Sequence, residues 1–358
     1  MPSDDVRLAV ARQWLPAGGL RITRLFTAGH SGADVSQVEH TASGRLFVLK
    51  RLAEGADRNR ADFVHRLIQH VATRAEPHIA DLEATPAGAT LWEDGTGGLW
   101  ELSHFLHGAP VPQPDGRQAA AAATALAGVH EAAATLPGKA PGRALPRSLV
   151  ARRRRAVDLL HEPWSRFVTR PLPGGREVVP NLCGAVAARA SLARRVLADC
   201  GGDAFIARVA RGEPRACVVQ PVLRDVWHEH VLFVDRHECR VTGFIDAQAA
   251  GIDTPATDLA RLVGSWQPRE AMAHLPLADR WPEAWRAYAA VRALPEDAER
   301  VTQFLHATGV VFGLDNWFRW TLEEGRRFSD VRGVLGRIDR LITELPHAIT
   351  AMGAENVD

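Results

Sequence analysis

The chain has 358 residues, 46% hydrophobic and 24% charged, with a formal net charge of +1. Such a chain can bury a large core and has the length of two modest domains, and its balanced charge sets up no global field toward nucleic acid or lipid. The longest uncharged apolar run, residues 119–129, is too short for the roughly 20 residues of a membrane span, and the acidic start MPSDDVRLAV has no secretory core; four cysteines without a CxxC pair read as reduced thiols, so a cytoplasmic protein with no nucleic-acid and no membrane partner is expected.

In chain order, a helix is expected over residues 4–15, capped by Ser3 or Asp4. Strands follow at 22–26, 35–39 and 46–49, the last running into Lys50. Apolar spacing predicts a helix over 62–72, and ATLWEDGTGGLWELSHF reads as two strands around a Gly-rich turn. That order fits a small antiparallel sheet with one helix packed on it. The prolines of HGAPVPQPDG mark a linker, after which helices dominate. Two short β-rich stretches, CVVQPVLRDVWHEHVLFVD and RVTGFID, interrupt that helical half, and the polar residues concentrate there.

Lysine is nearly absent: Lys50 and Lys139 stand alone among 43 Lys+Arg residues. Where arginine is the default cation, a retained lysine points to a compact ammonium that the arginine fork cannot replace. Lys139 lies in a Pro/Gly loop and reads as incidental, whereas Lys50 closes the strand pattern RLFVLK. Asp225 follows the apolar run VVQPVL, His230 comes five residues later, and Asp246 ends a further strand. Two carboxylates at the ends of neighbouring strands suit proton acceptance at one and cation binding on nucleotide phosphates at the other. The run RRRR reads as a solvated helix face, and His130 as a satisfied core histidine. Trp227, Trp317 and Trp320 read as core, and Asp258 as a helix N-cap. Asp315, Glu323 and Glu324 read mainly as a solvated face, with recognition of a cationic acceptor as the other reading. HEH, with His228 and His230 on one side of an extended segment, is compatible with a zinc site, the reading of a metal-dependent hydrolase.

Taken together, AGHSGADV, FVLK, WELSHFLHGAP, ALAGVH, RDVWHEHVLF and GFIDAQAAGIDTPATDLARL resemble, in order, the motifs of the aminoglycoside phosphotransferase and choline-kinase-like small-molecule kinases. The resemblance implies an α+β, bilobed protein-kinase-like fold, with residues 1–106 as the nucleotide-binding N-lobe and 107–358 as the helical, substrate-binding C-lobe. It implies ATP and Mg²⁺ as cofactors, with phosphates under Gly29, Ser31 and Gly32 and adenine near Ser103 and Phe105. Lys50 would orient the α/β-phosphates, Asp246 would hold the metal, and Asp225 would accept the proton of a hydroxyl on a small acceptor such as an aminoglycoside, sugar or amino alcohol. The chain departs from the motifs at Leu223, Arg224 and His230, where the family carries histidine, glycine and asparagine. His230 in place of the amide has three readings: it ligates the metal, which opens the way to Mn²⁺, it hydrogen-bonds a phosphate when protonated, or it holds the loop. Those departures also fit a catalytically impaired, nucleotide-binding regulatory protein. Asp62 and Glu54 are the acids available to pair with Lys50, and Asp62 is the one expected. The acceptor and the oligomeric state are not legible.

Overall fold

The computed structural model describes residues 2–26, 33–75, 78–169, 180–328 and 330–353. The chain forms two compact units, the first from Met1–Ala140, Gln220–Gly251 and Arg286–Ala293, the second from Pro141–Val219, Ile252–Trp285 and Leu294–Asp358. Neither unit is continuous in sequence. Where a division at 106/107 is expected, packing groups the helix after the linker and the 220–251 segment with the sheet.

The first unit opens with α1 (Asp4–Ala11), whose Ser3 side chain caps Val6 N. Pro16 follows closely, so the helix stops short of the expected residue 15 and closes on tight turns from Gln13 and Trp14. Strands β1 (Leu20–Phe26), β2 (Asp34–His40) and β3 (Arg45–Arg51) come next. Then α2 (Arg58–Ala72) starts earlier than its apolar spacing suggests, because Asp57 accepts from Asn59 N and Arg60 N and so sets the N-cap. After β4 (His78–Ile79), the hairpin β5 (Leu91–Glu93) and β6 (Leu99–His104) completes an antiparallel sheet of order β1-β2-β3-β6-β5. The helix α3 (Gly116–Ala134) carries an Asp115/Gln118 capping box and packs on α2.

The alternation of β3 decides where its side chains go. Phe47 and Leu49 turn toward α1 and join Val10, Trp14, Val38, Trp100 and Leu102 in one core. Phe47 and Trp100 are each only 1% exposed, and burying a side chain of this size stabilises by about 1.5–3 kcal/mol. Lys50 points to the other face, the face that α2 covers, where Leu52, Ala61, Leu91 and Leu99 cluster.

The second unit begins with β7 (Gly142–Ala144), α4 (Arg147–His161), α5 (Ser165–Thr169), α6 (Pro180–Asp199) and α7 (Gly202–Arg211). The strand β8 (Cys217–Val222) pairs antiparallel with β7 and leads back into the first unit. There β9 (Val231–Phe233) and β10 (Val241–Phe244) form a hairpin, with β4 parallel on the far side of β10. Beyond β11 (Gly251–Asp253) come α8 (Ala256–Val263), α9 (Leu277–Arg280), α10 (Pro282–Val291), α11 (Ala298–Phe318) and α12 (Val331–Gly353). The main core of the second unit brings together α4, α6, α7, α11 and α12 around Trp164, Phe205, Phe312 and Phe318. Among the described residues, no helix is long and apolar enough to cross a membrane. All four cysteines are free thiols.

Gly108, in the linker after β6, shows why that junction needs glycine. Its φ is +149°, and an added Cβ would lie 2.5 Å from the Phe233 carbonyl oxygen. The close approach lets Ala109 pair with Phe233, fastening the linker to the β9–β10 hairpin.

Candidate active site

Lys50, Asp225, His230 and Asp246 all belong to the first unit. Lys50 reaches them from β3, and its Nζ donates to Asp246 Oδ1 at 2.6 Å. Asp246 follows β10 in the left-handed conformation, with φ +58°, at the head of a 3₁₀ turn over Ala247–Ala249. For a residue other than glycine this backbone stores strain, and it turns the carboxylate out of the strand direction. Burial works to raise the Asp246 carboxyl, but the charge and hydrogen bond of Lys50 outweigh it and hold it below the usual carboxylate range. The side chain remains 43% exposed, so solvent weakens this hold.

Asp225 follows β8, separated from it by Leu223 and Arg224. Leu223 is buried, 3% exposed, at the position where a histidine was expected. Arg224, in place of the expected glycine, has φ +69°. Glycine meets this conformation at no steric cost, and arginine strains it. Its side chain runs beside Gly251, where an added Cβ would stand 3.1 Å from Nη1.

His230 ties the loop together. Its Nδ1 bonds the Asp225 carbonyl at 2.7 Å, its Nε2 accepts from Trp227 Nε1 at 2.8 Å, and its backbone N–H reaches Trp227 O. An indole N–H only donates, so Nε2 is the acceptor and Nδ1 carries the proton. The imidazole therefore spans the loop as a neutral brace, with Nε2 3.9 Å from Asp246 Oδ2. The expectation that His230 ligates a metal meets this obstacle: the lone pair of Nε2 is already engaged by Trp227. The HEH segment is a 3₁₀ turn rather than extended chain, and among the described residues no group of three or more His, Cys, Asp and Glu is arranged to hold a metal ion. The zinc-site reading is corrected on that ground.

The expected pairing of Lys50 with Asp62 does not form. Asp62 lies exposed on α2, and the inner face of the helix presents His65 instead. His65 Nε2 bonds Glu101 Oε2 at 2.8 Å, while its Nδ1 bonds Thr90 Oγ1. Glu101 stands opposite Lys50 in the β3–β6 register, and Gln248 Nε2 donates to both its oxygens at 2.6 and 2.7 Å. Arg60 adds bonds to the carbonyls of Gln248 and Ala249. The acid beside the lysine thus comes from the sheet, and it clamps α2 to the turn after Asp246. Sequence reasoning missed Glu101, His65 and Gln248. The one available signal was a carboxylate inside the apolar strand LWELSH, legible only once the β3–β6 register is known.

Ser103 pairs with Val48 in that register, and the Phe105 N–H donates to Leu46 O. Gly29, Ser31 and Gly32 lie outside the described residues. His130 is fully buried, bonding the Tyr288 hydroxyl through Nδ1 at 2.7 Å, and is a core histidine. Trp227 and Trp317 are buried as expected. In the second unit Asp258 lies in the first turn of α8, two residues beyond Ala256, and Pro255 occupies the N-cap, so the capping reading is corrected. Asp253, unnoticed in the sequence, is fully buried and accepts from Ser148 N, Ser148 Oγ and Thr254 N, closing the start of α4 that Pro146 leaves uncapped.

Solved structures share this fold. Spectinomycin phosphotransferase APH(9)-Ia, in complex with ADP and spectinomycin, aligns at TM-score 0.62 with 9% identity, over 99% of this chain and 99% of its own. Amicoumacin kinase hAmiN, in complex with AMP-PNP, Ca²⁺ and Ami, aligns at TM-score 0.55 with 11% identity, over 97% and 95%. The aminoglycoside phosphotransferase of Alicyclobacillus acidocaldarius aligns at 0.53 with 14% identity, over 95% and 94%. No curated protein matches the sequence significantly. The sequence itself matches the phosphotransferase enzyme family, APH, over residues 26–294, three quarters of the chain and all of the site just described, so the chain belongs to that family of small-molecule phosphotransferases with a protein-kinase-like α+β fold.

Proposed function

We propose that the chain transfers the γ-phosphoryl group of ATP to a hydroxyl of a small molecule. The observation that carries this reading is the convergence, within one compact unit, of Lys50, Asp246 and the Asp225–His230 loop, with the Lys50–Asp246 contact at 2.6 Å. Lys50 is the cation for the α/β-phosphates, and in this structure it rests on the carboxylate. Asp246 fits a Mg²⁺ ion: its carboxylate is kept ionised and partly open to solvent, as suits an ion that completes its shell with water and phosphate oxygens. When bound, the ion supplies charge neutralisation at the β- and γ-phosphates. With Nε2 of His230 held by Trp227, the reason for expecting Mn²⁺ goes with it.

Asp225 is the residue that orients the acceptor hydroxyl and takes its proton. Phosphoryl transfer of this kind needs little covalent chemistry from the protein and depends on positioning and electrostatics. The bracing by His230, Glu101 and Gln248 answers that need. The loop at Gly29, Ser31 and Gly32 covers the phosphates, Ser103 and Phe105 border the adenine, and residues 1–106 and 107–358 divide the work between nucleotide and acceptor. The same nucleotide class occupies the related structures, AMP-PNP in hAmiN and ADP in APH(9)-Ia.

The test is ATP consumption against hydroxylated acceptors, in wild type and Asp225→Asn, with Mg²⁺ present. Acceptor-dependent turnover that falls by about 10²–10⁴-fold in the variant supports the reading. ATP binding without turnover across a broad panel would transfer the case to the catalytically impaired protein.

A further inference from the structure

The arginine run of α4 is not the solvated face expected of it. Arg152, Arg153 and Arg155 are half-buried, and Arg154 alone of the four is exposed. Arg152 and Arg155, three residues apart, share a face of the helix. Both guanidinium groups lie on the Phe312 ring of α11, at 5.7 and 5.6 Å from its centroid. Phe312 itself is 2% exposed.

The two arginines differ in what holds them. Arg155 donates to Asp315 at 2.7 Å, and Arg166 takes the other oxygen of that carboxylate at 3.1 Å. Arg152 has no such partner: among the described residues no oxygen accepts a hydrogen bond from it and no carboxylate lies within ion-pair distance, leaving the ring contact and the long-range field of its neighbours. Burial first, then the charges of Arg261 and Arg155, push its guanidinium down to about 10, and Asp253 pulls only weakly the other way. It remains charged at neutral pH. A half-buried cation held among like charges without an acceptor is a costly arrangement, and one that an incoming anion relieves.

The acidic residues of the same region are already neutralised. Asp315 is shared by Arg155 and Arg166, Glu323 takes Arg166 at 3.1 Å, and Glu324 takes Arg326 at 2.7 Å. Asp315 is buried and Glu323 half-buried, while Glu324 is exposed as expected, and each of the three already holds an arginine. The uncompensated charge here is positive.

We propose that Arg152, beside Arg155 on Phe312, anchors an anion-recognition site of the second unit, and that it takes the carboxylate or phosphate group of a small-molecule ligand. The planar guanidinium offers paired N–H donors that match either oxyanion.

Thermal shift of the full chain without nucleotide tests the site, with inorganic phosphate, glycerate and neutral glycerol as probes. The variants are Arg152→Met, Arg152→Lys and Lys50→Met. Phosphate and glycerate are expected to raise the melting temperature of wild type and of Lys50→Met, and glycerol to leave both unchanged. The anion affinity of Arg152→Met should fall by about tenfold or more, a loss of about 1.4 kcal/mol. Its melting temperature without anion should equal or exceed that of wild type, since an uncompensated charge has been replaced by an apolar chain. Arg152→Lys should retain part of the response. The stronger of the two anions distinguishes carboxylate from phosphate. An undiminished response in Arg152→Met, a response lost only in Lys50→Met, or no response in wild type would each overturn the proposal. Anion binding intact in a protein that consumes no ATP would leave this site standing and remove the phosphotransferase reading.

Discussion

His65 on α2 and Glu101 on β6 meet through Nε2 and Oε2 at 2.8 Å, with both side chains buried. Because Glu101 lies opposite Lys50 across the sheet, the helix acts on the lysine's surroundings through a strand carboxylate. Gln248 extends the connection to the turn that follows Asp246. A helix, a strand and the turn after Asp246 therefore share one buried carboxylate.

Glu101→Gln is expected to destabilise the protein by about 1–3 kcal/mol, because an amide nitrogen replaces one of the two oxygens that Gln248 Nε2 approaches and sets one buried donor against another. Urea unfolding measures this. Turnover should fall beyond the loss of folded protein, since the turn after Asp246 loosens. A variant of wild-type stability and activity would show the clamp to be inert.

Lys50→Met changes the acid behaviour of Asp246. The wild-type carboxyl sits below its ordinary value of 3.8, so the stability it contributes is present above that value and is lost as pH falls through the lower folded value. Without Lys50, burial is the leading influence left and pushes the carboxyl upward. The stability gap between wild type and variant is then full at neutral pH and closes on acidification through the carboxyl range. Unfolding curves across pH, with NMR titration of the carboxyl carbon, check the sign. A gap independent of pH would contradict it.

Trp227→Phe removes the donor to His230 Nε2 and keeps most of the buried ring. We expect a loss of about 0.5–1.5 kcal/mol and a fall in kcat larger than any change in KM. In wild type, nitrogen NMR should report His230 as the neutral tautomer protonated at Nδ1. Finding the proton on Nε2 would mean that the loop is held in some other way.

Arg224→Gly should be more stable than Arg224→Ala by about 1 kcal/mol, although both delete the same guanidinium, because only glycine adopts the φ of +69° without strain. Equal denaturation midpoints would show that the backbone relaxes out of the left-handed region.

The sheet and α2 were legible because alternation, helical spacing and turn residues agree there. Helix ends were less so: α2 begins at an aspartate cap upstream of its first apolar repeat, and α1 ends early ahead of Pro16. Lys50, Asp225 and Asp246 were visible through rarity, spacing and motif. Glu101 was not, since its role depends on a cross-strand register and on a histidine and a glutamine from distant segments. Arg152 was hidden differently, as one member of a run whose composition suggests solvent, while helical phase turns it onto Phe312.

The discontinuity of the first unit bears on how the protein is made. Lys50 and Asp246 are 196 positions apart, and the unit is completed only by Arg286–Ala293. A nascent chain emerging through Ala140 has built the sheet and α3 but not yet the hairpin that β4 and the linker will bind. Until then the β4 edge and the Gly108 junction stand open, and non-local closure of this kind is slow compared with helix formation. The same connectivity that brings Lys50 and Asp246 together late in synthesis ties their contact to the last stages of folding, so a chain truncated before residue 246 carries the lysine without the carboxylate it meets in the finished protein.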